Sequence, residues 1–264
     1  MVSNVDNSLP PRELVSARLK VNWAHCHILQ LHDAIASYAM PDNHTVTLKF
    51  DAETGANHAI LQSAPMPPSF SLAFGDAIHN LRVSLDYAIF DILAPTAIEG
   101  EKKFIDFPFH ETRANVEAAL NKGPISRLSD KTKRLILDEI KPYRVGKDAG
   151  DKGNIPLWAM NKIDNIDKHR RTLLSAALSG VHFQRIMYDN PNLLFQENTL
   201  IAPVAENGQI IGLPHGRIIN ADYSPILMIR IEEPDFFYRE PIMPTIGNLL
   251  ETVRDSILAI ENTL

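Results

Sequence analysis

The sequence predicts an α+β protein: a helical core with an inserted β-hairpin, followed by a C-terminal antiparallel sheet and a closing helix. Three observations carry that expectation. Residues 74–93, FGDAIHNLRVSLDYAIFDIL, are apolar with almost no interruption and repeat at the helical period. Residues 45–50, TVTLKF, alternate apolar and polar ahead of a turn and a second short run, the signature of a hairpin. Beyond Gly180, period-two runs alternate with Asp-Asn-Pro, Glu-Asn-Gly and Pro-His-Gly turns, and the short connections favour an antiparallel meander.

Taken in order, Leu14, Ala17, Val21, Ala24, Ile28, Leu31, Ile35 and Tyr38 recur at spacings of three and four, the stripe of a long amphipathic helix. Met40-Pro41-Asp42-Asn43 stops it. His25 and His27 lie on this helix, but residues two apart point about 160° away from each other, so no metal pair is expected there. The hairpin occupies residues 45–62, and the proline-rich loop SAPMPPS leads into the central helix, which Ala94-Pro95 closes. On that helix Phe74, Ile78, Leu81, Leu85, Ala88 and Ile92 share one face, with Val83 and Phe90 nearly opposite and Tyr87 beside them, so burial on both sides is expected.

Residues 113–121 form a short helix, after the extended stretch FIDFPF. Ser129 caps another, which Pro142 ends. The loop RVGKDAGDKGN lacks the order GxxxxGK(S/T) of a phosphate-binding loop. Residues 156–178 read as the second long helix, with Trp158, Ala159, Ile163, Ile166, Leu173, Ala176 and Ala177 on its apolar side and Asn161, Asp164 and Lys168 opposite. The runs HFQRIMYD, LLFQENTLIAP, QIIGL, RIIN and ILMIRIEE then supply strands, and Ile246, Leu249, Leu250, Val253, Ile257 and Ile260 stripe the last helix. The expected organisation is a helical region over residues 1–180 with its hairpin, and a sheet region with the terminal helix over 181–264, packed as one unit.

At 264 residues and a net charge of −6, the chain can bury a large core and presents no global basic surface of the kind nucleic-acid binding uses. The single cysteine, Cys26, leaves no internal disulfide framework and points to a reducing compartment. The opening MVSNVDNSLPPRELV lacks a basic segment followed by an apolar one, and no later run reaches the roughly 18 apolar residues that crossing a bilayer needs. A cytoplasmic location without membrane association is therefore expected, and no cofactor is implied.

The chemistry sits where charge interrupts apolar pattern. His79, Arg82 and Asp86 stack along one line of the central helix, and Asp86 lies four residues after Arg82, within reach of an ion pair. Buried charges need partners. On the second long helix, Asp167, His169 and Arg170 turn toward the apolar side, so the two helices are expected to pack with these two sets facing each other. His79, Asp86, Asp167 and His169 have ligand types a metal accepts, but no HExxH-like signature accompanies them.

GDAIHNLRVSLDYAIFDIL followed by LWAMNKIDNIDKHRRTLL resembles a family of uncharacterised bacterial proteins marked by a GDxxHNLRxxLDH helix and a later DKHR helix. The likeness spans residues 12–175 and carries no function with it. A second resemblance is to HEPN-like helical domains, in which an RxxxxH motif supplies a metal-independent ribonuclease site. That resemblance implies Arg82 stabilising phosphate and a histidine acting as acid or base. Here the fifth residue after Arg82 is Tyr87, whose pKa near 10 suits that role poorly.

Three readings stand side by side, and enzymatic activity is left open among them. The network is structural; or it lines a cleft that binds a ligand or partner, RNA or another anion or a second copy of the chain; or it is a HEPN-like ribonuclease of a defence or toxin system. The catalytic candidates are His79, Arg82, Asp86 and Tyr87, and the binding candidates Asp167, Lys168, His169 and Arg170.

Overall fold

A computed structural model describes residues 14–40, 43–148, 150–167, 174–190, 200–205, 207–213, 216–232 and 235–264. Its elements are helices α1 (Val15–Tyr38), α2 (Ser69–Leu93), α3 (Arg113–Leu120), α4 (Asp130–Arg134), α5 (Ile155–Asp167) and α6 (Ile242–Glu261), with strands β1 (His44–Phe50), β2 (Asn57–Ser63), β3 (Leu174–Tyr188), β4 (Leu200–Pro203) and β5 (Ile218–Ile231). The fold is α+β, with a two-stranded hairpin after the first helix, a three-stranded antiparallel sheet and a closing helix. By packing, the chain forms two compact units that alternate along the sequence: Met1–Leu29, Leu72–Thr172 and Pro244–Leu264 make one, Gln30–Ser71 and Leu173–Met243 the other.

The first unit is helical. The stripes read from the sequence are its core: Leu14 just before α1, Ala17, Val21, Ala24 and Ile28 of α1, Phe74, Ile78, Leu81, Leu85 and Ala88 of α2, and Ile246, Leu249, Val253, Ile257 and Ile260 of α6 are buried. The expectation that α2 is buried on both sides needs correcting. Val83 and Phe90 are half-buried and Tyr87 is exposed, so the second face is only partly covered. Ser129 caps α4 by accepting from the Thr132 N–H at 3.1 Å, and the chain then widens into a π-helical turn over Leu135–Ile140, ending at Lys141 with φ 56°.

Carboxylates from other helices answer the unpaired N–H groups at the start of α1. Leu14 N–H donates to Glu261 Oε1 at 3.0 Å, Ser16 N–H to Asp91 Oδ2 at 3.0 Å, and Arg18 Nε also reaches Glu261 at 2.9 Å. These contacts hold the Glu261 carboxyl below its ordinary pKa, the Arg18 hydrogen bond contributing most. Glu261→Ala is expected to cost about 1 kcal/mol, measured as a lower urea midpoint. Because the folded pKa is lowered, this contribution is present at neutral pH and fades on acidification through the carboxylate range.

The second unit is built on strands. β1 and β2 pair antiparallel from His44↔Ser63 to Phe50↔Asn57, around a turn in which Gly55 takes φ 69°. The larger sheet has the order β4-β3-β5. Val46 and Ala59 of the hairpin share a core with Val181, Phe183, Ile186, Tyr188 and Ala202. Tyr223 O–H donates to the Val46 carbonyl at 2.6 Å, and Ala59 N–H to the Gly208 carbonyl at 2.8 Å.

Three sequence-based expectations fail here, each because long-range pairing outweighs local pattern. The helix read over 156–178 is described over Ile155–Asp167, residues 168–173 lie outside the described residues, and Ala176 and Ala177 lie in β3, where the ladder Leu174↔Ile231 to Leu178↔Leu227 gives every residue a cross-strand partner. Most of RIIN and of ILMIRIEE belongs to one continuous strand, Ile218–Ile231; Pro225 is tolerated because β5 lies at the edge of the sheet. The meander order is replaced by β5 pairing with β3, since strands of 15 and 14 residues match one another far better than either matches the four residues of β4. Gly180 sits at a register shift, where a Cβ would lie 3.1 Å from the Ala202 carbonyl oxygen.

Candidate functional site

The HNLR sequence distributes its four side chains to different neighbours. Leu81 enters the core. Asn80 accepts from Lys20 Nζ at 3.2 Å, on the side of α1, while His79 and Arg82, three residues apart, turn toward α5. Tyr87 is about 140° around the helix from Arg82, and Lys20 Nζ stands 5.8 Å above its ring. The structure thus brings His79, Arg82 and Asp86 together and leaves Tyr87 with different neighbours.

Asp164 is the centre of the cluster. His79 Nδ1–H donates to its Oδ1 at 2.8 Å, and Arg82 Nε lies 3.8 Å from its Oδ2 and donates to Asn161 Oδ1 at 3.3 Å. The sequence-based placement of Asn161 and Asp164 on the outward side of α5 is therefore corrected. Leu157, Met160 and Asp164 follow one another at spacings of three and four, and the first two are fully buried. That spacing was the available signal. Lys168, His169 and Arg170 lie outside the described residues, as does the side chain of Asp167.

Asp86 links the pair of helices to a third segment. One carboxylate oxygen accepts from Arg82 Nη1 and the other from the Phe107 N–H at 3.0 Å, fixing the FPF stretch against α2. Phe109, 4.9 Å from the Phe107 ring, lies 5.9 Å from the Arg82 guanidinium. Burial pushes the Asp86 carboxyl up to about 6, against the opposing pull of Arg82 and the Phe107 N–H, while Asp106 and Asp164 push the same way as burial.

Exposure is graded across the cluster. The Asp164 side chain is 2% exposed, that of Arg82 21% and that of His79 48%. Asp164 holds the imidazole through Nδ1, so Nε2 is left on the half-exposed side with no partner among the described residues. Chemically, this is an oriented proton donor or acceptor beside a guanidinium whose charge Asp86 and Asp164 already answer. Among the described residues no three His, Cys, Asp or Glu side chains are grouped closely enough to hold a metal ion, and no helix is long and apolar enough to cross a membrane.

No protein-family model, curated protein or solved structure matches this chain.

Proposed function

We propose that the α2–α5 cluster is a structural clamp with one open end, and that this end, the His79 ring, binds a ligand or partner. The observation that carries this reading is the charge balance around Arg82. Asp86 and Asp164 lie against it and Asp106 acts on Asp86 from nearby, so little positive charge is spare for an anion. Among the described residues these surroundings are acidic, which favours a neutral or basic group at His79 Nε2. Ring resonances of His79, followed by NMR during titration with trilysine, are expected to shift, while a short single-stranded RNA leaves them in place. Shifts with RNA and none with trilysine would overturn this assignment of charge.

A second reading, HEPN-like metal-independent RNA cleavage, is favoured by one observation: His79 and Arg82 stand on the same side of α2, with the imidazole fixed through Nδ1. In it His79 Nε2 exchanges the proton and Arg82 faces the phosphate, with Tyr87 taking no part. RNA cleavage in the presence of EDTA, lost in a folded His79→Gln variant, would establish this reading and displace the first.

A further inference from the structure

The second unit contains a cavity of about 350 Å³ whose lining combines the charged Arg230, Glu232 and Arg239 with the apolar Leu178 and Val204. Register builds it. Ser175 of β3 lies opposite Arg230 of β5, and the two-residue alternation of β5 adds Glu232 to the face of Arg230. Ser175 Oγ–H donates to Glu232 Oε1. After Ile231 the chain turns back, so that Arg239 N–H donates to the Ile231 carbonyl at 2.7 Å and the Arg239 side chain completes the rim. Leu178 and Val204 form the apolar part of the wall.

Two independent features mark this cavity as more than a packing gap. Arg230 Nε is buried, and among the described residues it has no hydrogen-bond acceptor. An enclosed donor without an acceptor leaves the guanidinium charge poorly compensated, which an anion in the adjacent cavity would answer through the rest of the side chain. Arg239, in turn, is held at φ 63°, a left-handed conformation uncommon for a residue that bears a side chain.

We propose that this cavity binds a small organic anion. Its phosphate or carboxylate group is held by Arg230 and Arg239, whose planar forks suit paired oxygens. Glu232 accepts from a hydroxyl or amine of the same molecule, and the remaining carbon skeleton lies against Leu178 and Val204. The cavity volume falls at the low end of small-molecule sites, which selects a metabolite-sized ligand over a nucleotide or polymer. The site is separate from the α2–α5 cluster and does not depend on its role.

The test uses the full chain, with inorganic phosphate, glycerol 3-phosphate and malate as probes at constant ionic strength and sodium chloride as the reference salt. Thermal unfolding and titration calorimetry are expected to show saturable binding of the phosphate or the carboxylate probes, and the responding series identifies the anionic group. Arg230→Gln should weaken that binding roughly tenfold or more, whereas Lys103→Ala, which removes a cation from the helical unit, leaves it unchanged. Glu232→Gln should weaken the hydroxyl-bearing probes more than inorganic phosphate. If Arg230→Gln fails to fold, Arg230→Lys, which keeps the charge and loses the fork, provides the same comparison. No stabilisation beyond that of sodium chloride, or binding untouched by the Arg230 variants, overturns the proposal and leaves the cavity hydrated.

Discussion

Arg82→Ala is expected to lower the unfolding free energy by about 3 kcal/mol, the low end of the cost of breaking a buried ion pair. The larger loss falls on the carboxylates that remain. Asp164 is almost wholly inaccessible and Asp86 nearly so; without the guanidinium both must stay charged with weaker compensation, or take up protons. The cost stays near the low end because each keeps one donor, His79 Nδ1–H for Asp164 and the Phe107 N–H for Asp86. His79→Ala should cost under about 1 kcal/mol, since a half-exposed partner is readily replaced by water. Urea unfolding of the two variants distinguishes the clamp from a cluster serving catalysis alone. Equal losses, or a larger one for His79→Ala, would contradict the gradient of exposure. Arg82→Lys should fall between wild type and Arg82→Ala, because an ammonium keeps the charge but cannot serve Asp86 and Asn161 from one planar group.

What the sequence made legible follows from how locally each feature is determined. The hairpin was readable to within one residue, because TVTLKF, the turn containing Gly55 and the second run carry their own register. The α1, α2 and α6 stripes were readable because each helix presents one wide apolar face to a core. Residues 174–178, by contrast, carry the sequence LSAAL, which has no strand signal of its own; their conformation comes from a partner 49 to 57 residues away, Leu227 to Ile231. The candidate site divides the same way. The Arg82–Asp86 pair was visible as an (i, i+4) spacing within one helix. The role of Asp164 was not, since polarity suggested an outward face and only the spacing from Leu157 and Met160 argued the reverse.

Asp86 gives the cluster a pH dependence of definite sign. Its folded pKa is raised to about 6, chiefly by burial, from an ordinary value of 3.8. The folded state therefore holds this proton over a range in which the unfolded chain has released it. The resulting stabilisation is complete below the unfolded pKa and disappears as pH rises through the folded one. A shift of this size corresponds to about 3 kcal/mol. Relative to Asp86→Asn, the wild-type protein should lose up to that amount between pH 4 and pH 7, read from urea midpoints across the range, with the Asn variant lacking this component of the slope. Isotope-edited NMR of the Asp86 carboxyl carbon should show its titration near 6, and Arg82→Ala should move it higher, because the guanidinium is the strongest influence opposing burial. A midpoint in the ordinary carboxylate range would mean that the Arg82 and Phe107 contacts outweigh desolvation. The clamp would then be a net stabilising ion pair at neutral pH. With the raised value it is a strained one, held closed by the buried apolar residues around it, such as Ile78, Leu81, Leu157 and Met160, and loosened by the ionisation of its own carboxylate.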